Sequence, residues 1–129
     1  MHKSLSPSSI HPPFAPYSPG IEVSSRSRLV FVSGQLGIGK DGVIPPDAAG
    51  QARVVFDNIR AILGEAGMGL KDVVKLNAYV TGREHMRGYM DVRNELFVEP
   101  YPASTLMIVG GFTREEFVVE IEAIAASPG

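Results

Sequence analysis

The chain has 129 residues, 44% of them hydrophobic, no cysteine, and a formal net charge of −2. That is enough for one domain with a real core and too little for two ordinary ones. Disulfides, thiol catalysis and thiolate metal sites are excluded, and an acidic chain with no Lys/Arg run lacks the electrostatic footprint of a nucleic-acid or anionic-membrane binder.

Met1-His2-Lys3-Ser4-Leu5-Ser6 lacks the apolar stretch of a secretory signal, and no later run approaches the roughly 20 apolar residues of a membrane span, so a soluble cytoplasmic protein is expected. A single domain over 1–129 is predicted, with 1–14 as a flexible Pro/Ser-rich arm. Pro7, Pro12, Pro13, Pro16 and Pro19 interrupt regular hydrogen bonding there. Phe14 and Tyr17 are unusual in a pure linker. Tyr17 either covers part of the domain or simply anchors the arm by burying its ring.

Gly20-Ile21-Glu22-Val23 and Leu29-Val30-Phe31-Val32-Ser33 read as two strands of a hairpin around a polar turn at 24–27. Ser33-Gly34 ends the second, where glycine permits close approach of a neighbour or ligand. Gly34, Gly37 and Gly39 match no phosphate-binding glycine pattern. Asp47 is the predicted N-cap of a helix whose apolar stripe is Ala52, Val55, Phe56, Ile59, Ile62, Leu63 and Ala66, with Gln51 facing elsewhere and Gly67 ending it.

Residues 73–81 alternate as a strand, with Lys75 and Asn77 on its more polar face. Thr81 is predicted to cap a second helix over 83–98, with Met86, Met90, Leu96 and Phe97 buried. Met86 and Met90 read as core filler rather than ligands. His85 has no partner at ligand spacing, so no metal site is expected.

Two further strands close the chain. The first alternates Ala103, Thr105, Met107 and Val109 against Ser104, Leu106 and Ile108. The second places Glu120 and Glu122 together on one face. Carboxylates on an otherwise apolar strand are costly to bury, and are kept for pairing or for chemistry. Function is therefore expected beside Ser104 and Glu120. Two helices cover one sheet face, giving a two-layer α+β domain. Residues such as Val73, Tyr79, Leu106, Ile108 and Ile124 are expected on surfaces the helices do not reach, so an obligate homo-oligomer is predicted.

Ala15-Pro16-Tyr17-Ser18-Pro19-Gly20, Phe31-Val32-Ser33-Gly34-Gln35-Leu36-Gly37, residues 51–58, Ala66-Gly67, Asp72-Val73-Val74-Lys75 and Val119-Glu120-Ile121-Glu122-Ala123-Ile124-Ala125 occur in one register over 12–126. Together they resemble the RidA/YjgF family, also described as endoribonuclease L-PSP. The resemblance implies a chorismate-mutase-like α+β fold, a homotrimeric barrel with pockets in the clefts between subunits, and hydrolysis of enamines or imines to 2-keto acids and ammonia without metal or cofactor. It places Tyr17, Ser33, Gly34 and Glu120 at pocket positions. Two positions depart from the pattern: Met90 stands for an asparagine, and Pro102-Ala103-Ser104-Thr105 stands for Pro-Ala-Arg-Ser, whose arginine holds the substrate carboxylate.

A hydroxyl offers one uncharged donor where a guanidinium offers a fixed charged fork, so an altered substrate range is expected. Glu120, with its pKa raised by apolar surroundings, can deprotonate a water for attack on an imine carbon. Alternatively it is a buried carboxylate satisfied by backbone N–H groups or Lys75, and Ser104 merely enlarges a cavity. Arg87 and Arg93 flank Met90 on a similar helix face and are candidates for a substitute charge. A non-catalytic trimer binding a metabolite or protein is the competing function. RNA cleavage or translation inhibition is the third, and neither a histidine pair nor a basic groove speaks for it.

Overall fold

A computed structural model describes residues 2–129. Strands β1 (His2–Leu5), β2 (Gly20–Val23) and β3 (Ser27–Leu36) precede helix α1 (Ala48–Gly64), and a 3-10 turn at Leu70–Asp72 leads to β4 (Val73–Val80). A second such turn, Arg83–His85, opens α2 (Met86–Leu96), which is followed by β5 (Ala103–Ile108) and β6 (Val119–Pro128).

The main sheet has the order β3-β6-β4-β5. β6 is antiparallel to both neighbours, and β4 and β5 are parallel, as a strand–helix–strand crossover requires. This is the expected mixed sheet with two helices on one face. Leu76, Ala78, Val80, Val119, Ile121 and Ala123 turn to the helices and are buried, as are Ala52, Val55, Phe56, Ile59 and Leu63 of α1. The opposite face carries exposed Leu29, Phe31 and Met107. Val73 and Leu106 depart from the expectation: Val73 is buried, and Leu106 is in register with core-facing Ala78 and packs on the core.

Helix α1 begins where the cap signal places it. The Asp47 side chain accepts from the Gly50 N–H at 2.8 Å, satisfying one of the donors a helix start leaves open. It ends before Gly67, whose φ of 72° favours a residue without Cβ. Two α1 positions correct the predicted stripe. Ile62 is 37% exposed, whereas Gln51 is fully buried. The Gln51 amide donates to Pro45 O (3.0 Å) and Glu116 O (2.7 Å) and accepts from Val118 N (2.9 Å). It thereby ties the start of α1 to the segment entering β6.

Helix α2 is shorter than predicted. The 3-10 turn at 83–85 takes the place of the predicted first helical turn, and its N-cap is Gly82 and not Thr81, with no side-chain cap. Its buried residues are Tyr89, Val92 and Arg93, while Met86, Met90 and Leu96 are only partly buried. Phe97 is buried just beyond its end.

The expected β2/β3 hairpin does not form. β2 pairs instead with β1, so His2–Leu5 is a strand and not irregular chain, while 6–17 holds no regular element. A strand pattern identifies an extended segment but not its partner. The arm meets the main sheet at Ser18, which bridges Ala103 in parallel and donates to Tyr101 O. From there β2 runs to the start of β3 across the end of the sheet. Among the described residues no helix is long and apolar enough to cross a membrane.

Candidate functional site

The predicted site residues fall into two groups, set by strand parity. Glu120 lies opposite Leu36 and Tyr79 in the ladder, and Glu122 opposite Asn77, so both carboxylates share the face turned away from the helices. On β3 the register with β6 breaks between Val32 and Gln35, leaving Ser33 and Gly34 opposed to the single residue Glu122. Such a bulge releases main-chain groups from the ladder beside a site. Gly34 is needed there because the Glu120 side chain passes directly over it. A Cβ at 34 would stand 2.8 Å from Glu120 Cδ and Oε2.

The two carboxylates differ in their partners. Glu122 Oε1 accepts from Tyr79 Oη (2.8 Å) and Asn77 Nδ2 (3.1 Å). That hydrogen bond is the main reason the Tyr79 phenol is held above its usual pKa. Glu120 has neither hydrogen bond nor ion pair among the described residues. Lys75, which the alternative reading offers as a partner for Glu120, donates to Thr105 Oγ1 at 2.8 Å instead. Burial first, and the Glu122 charge second, push the Glu120 carboxyl above the ordinary carboxylate range. Partial desolvation with no compensating donor is how a carboxyl becomes a proton acceptor of useful strength.

Ser104, Tyr17 and Met90 stand outside that cluster. Ser104 is in register with Leu76, hence on the helix-facing side, and the opposite parity of Leu76 and Tyr79 separates it from Glu120 by the thickness of the sheet. Tyr17 is half-buried beside the start of β5, in a hollow with Ser4, Ser6, Pro19, Glu99 and Tyr101. Ala103 and Met107, the residues aligned with Lys75 and Tyr79, are four positions apart, so Tyr17 sits roughly 13 Å along the sheet from the level of Glu120. Met90 lies on α2, lining a surface hollow with Arg87 and Asn94. Within one chain, then, Ser33, Gly34 and Glu120 come together, and Ser104, Tyr17 and Met90 do not join them.

Arg93 also belongs at Ser104, and its placement was not legible from spacing. It is 5% exposed, with Nη1 3.3 Å from Ser104 Oγ, Nε and Nη2 at 3.2 and 3.1 Å from Asn94 Oδ1, and its guanidinium 5.6 Å from the centre of the Tyr89 ring. Arg87, the other candidate for a substitute charge, is exposed. No group of three or more His, Asp or Glu able to hold a metal occurs among the described residues.

Comparison with known proteins gives a consistent result. Residues 8–127 match the family described as Endoribonuclease L-PSP. The RutC family protein YjgH of Escherichia coli is 38% identical over 102 residues, covering 78% of this chain and 76% of that protein. A protein of Dermatophagoides farinae named 2-iminobutanoate/2-iminopropanoate deaminase is 29% identical over 114 residues, covering 87% and 86%. The crystal structure of RidA from a Psychrobacter species superposes with a TM-score of 0.72 at 31% identity, covering 97% of this chain and 99% of that one. The chain belongs to the endoribonuclease L-PSP family, that is, the RidA/YjgF family.

Proposed function

We propose that the protein hydrolyses the C–N bond of small imines or enamines, in a pocket that is completed between subunits of a homotrimer. The observation that carries this reading is the inequality of the two β6 carboxylates: Glu122 is pinned by two donors, whereas Glu120 is partnerless, has a raised pKa and sits over the Ser33–Gly34 bulge. A relative named as an iminobutanoate/iminopropanoate deaminase supports the reaction class. Exposed Leu29, Phe31 and Met107 on the face opposite the helices support association, since apolar side chains gathered on one face favour burial by another copy.

In this reaction Glu120 accepts a proton from water as the water oxygen bonds to the imine carbon. Glu120 passes that proton to the imine nitrogen, giving a carbinolamine, then takes the hydroxyl proton and delivers it to the amino nitrogen as the C–N bond breaks, so ammonia leaves a carbonyl product. An enamine first gains a proton at carbon to become the imine. Bulge N–H groups at Ser33 and Gly34 orient the polar end of the substrate, and Tyr17 from a neighbouring copy of the chain covers the mouth. The substrate range differs from that of relatives with arginine at the Ser104 position, because serine leaves more room on β5 and no charge of its own. No cofactor is required by this chemistry. RNA is a poor fit to a site with two carboxylates on a chain of net charge −2.

The test is direct. Imines generated freshly from several amino acids are added to the purified protein, and ammonia and keto-acid release are followed against buffer and against Glu120→Gln. A rate above buffer that is lost in Glu120→Gln supports the reading. A rate equal to buffer for every imine, with ligand binding retained, replaces it with a non-catalytic metabolite-binding trimer.

A further inference from the structure

Arg93 poses a physical problem that the fold does not solve. Its guanidinium is buried between α2 and β5, and no carboxylate pairs with it among the described residues. Its hydrogen-bond partners are neutral: Asn94 Oδ1, which accepts from both Nε and Nη2, and Ser104 Oγ, which is at the long limit for Nη1. Burying a cation without an anion is among the costlier arrangements a core can hold, and natural chains seldom keep one that could be replaced by an apolar residue. A second observation lies beside it. The Tyr89 hydroxyl is buried close enough to Arg93 and Ser104 for both to offset part of the burial that raises its pKa, yet it makes no hydrogen bond of good geometry among the described residues. An unsatisfied buried hydroxyl calls for an explanation, and an absent ligand is one.

The unused capacity has a definite shape. A guanidinium carries five N–H donors; with one on Nε, one on Nη2 and one on Nη1 engaged, a donor remains on each Nη. Two such donors at the end of a planar fork match the two oxygens of a carboxylate. Asn94 is exposed, so the neutral acceptor now facing the guanidinium is free to rotate away into solvent. Ser104 and Leu106 on edge strand β5 are partly exposed, so solvent reaches the β5 side of the seam.

We propose that Arg93, with Ser104 and Tyr89 beside it, is the anchoring site for the carboxylate of a small organic acid. The inference deepens the deaminase reading and rests on it for the identity of the ligand, a 2-imino or 2-keto acid. The positive charge enters from α2 instead of from β5, and the serine is what leaves room for it. Arg93 and Glu120 lie on opposite sides of one sheet, so a single ligand touches both only when the Glu120 comes from a second copy of the chain.

The experiment uses the purified full chain, with pyruvate and phenylpyruvate as probes and pyruvamide as the neutral control. Arginine side-chain Nε–Hε signals are followed by NMR, and affinities by calorimetry. Expected is a shift of the Arg93 signal on adding either acid, none with pyruvamide, and roughly thirtyfold or more weaker binding in Arg93→Gln. Arg93→Lys keeps the charge without the fork and binds with intermediate affinity. Arg87→Gln binds like the wild type. The proposal is overturned if neither acid moves the Arg93 signal at high concentration, if pyruvamide binds as tightly as pyruvate, or if folded Arg93→Gln keeps full affinity. Should Arg93→Gln fail to fold, the wild-type spectrum decides alone. Imine hydrolysis with kcat and KM untouched by Arg93→Gln removes the anchor and leaves the deaminase reading. Acid binding at Arg93 with no imine hydrolysed does the reverse.

Discussion

Glu120 and Glu122 share one face of β6, two residues apart, yet only Glu122 is held by donors, from Tyr79 and Asn77. The fixed negative charge of Glu122 adds to burial in raising the Glu120 carboxyl above the usual range. Glu122→Gln keeps an oxygen for both donors and removes the charge. The Glu120 pKa should then fall toward the ordinary value. If Glu120 acts as base, the acidic limb of the kcat/KM profile moves to lower pH in Glu122→Gln and does not move in Arg60→Gln, which lies on the exposed side of α1. A pH–rate series on the three proteins checks this.

Stability should respond to Glu120 with a defined sign. The folded-state pKa is raised, so between the unfolded value of about 4.5 and the folded value the native state binds more protons than the unfolded state. Stability therefore falls as pH rises through that window, and the loss persists above it. Glu120→Gln removes the titration. It should melt above the wild type at pH 7, and the difference should shrink as pH drops below about 4.5. A variant that is more stable and inactive is the mark of a group kept for chemistry. Thermal melts across pH 3–8 test it.

Gly34→Ala should separate position from folding. The added methyl would stand 2.8 Å from Glu120 Cδ and Oε2, the far end of a flexible side chain. The carboxylate swings aside at little cost to the fold, but it leaves the place from which it activates water. The expected outcome is a loss of kcat of about tenfold or more, since small misplacements cost up to about a hundredfold, with Tm nearly unchanged. An equal loss of Tm and kcat would show that Gly34 serves the backbone instead.

Gln51→Leu is the prediction for the fold. It leaves the Val118 N–H and the Glu116 carbonyl without their partner in a part-buried setting, and since a fully buried unsatisfied group costs about 1–3 kcal/mol, a loss toward the lower end of that range is expected. A lower denaturation midpoint with unchanged m is expected, together with weaker activity, because the segment it ties leads directly into β6 and Glu120.

Sequence patterning reached most of the elements and the facing of the β6 carboxylates. The alternation of β4 and β6 put both carboxylates on one face, and the Asp47 cap and Gly67 bounded α1, because these are local rules with short range. Gln51 escaped because the carbonyl and N–H that hold its amide come from residues 65 and 67 positions away, and a polar residue on a helix is ordinarily assigned to water. Arg93 is named from its helix face as a candidate charge, but its burial escaped for the same reason: only the approach of β5 to α2 shows that it is enclosed. The β2 partner escaped because pairing depends on where an irregular arm returns. Ser104 and Glu120 were assigned to one pocket from the family register. Their strand parity places them on opposite faces of the sheet within one chain.

Ser104→Arg offers the sharpest test of how the charge is arranged. A long cationic side chain on β5 would point at the helix layer, where the Arg93 guanidinium already lies against residue 104. Two like charges in one partly buried seam repel each other and compete for Asn94. The single variant should be destabilised by about 1–3 kcal/mol. In Ser104→Arg/Arg93→Gln the new guanidinium takes over the vacated space, so the double variant should recover stability and regain pyruvate binding. Residues in contact show coupling of about 0.5–3 kcal/mol in a double-mutant cycle, and a favourable coupling of that size is expected here. Strict additivity of the two changes would mean that residues 93 and 104 do not share one site, and Arg93 would then be a packing residue beside Tyr89.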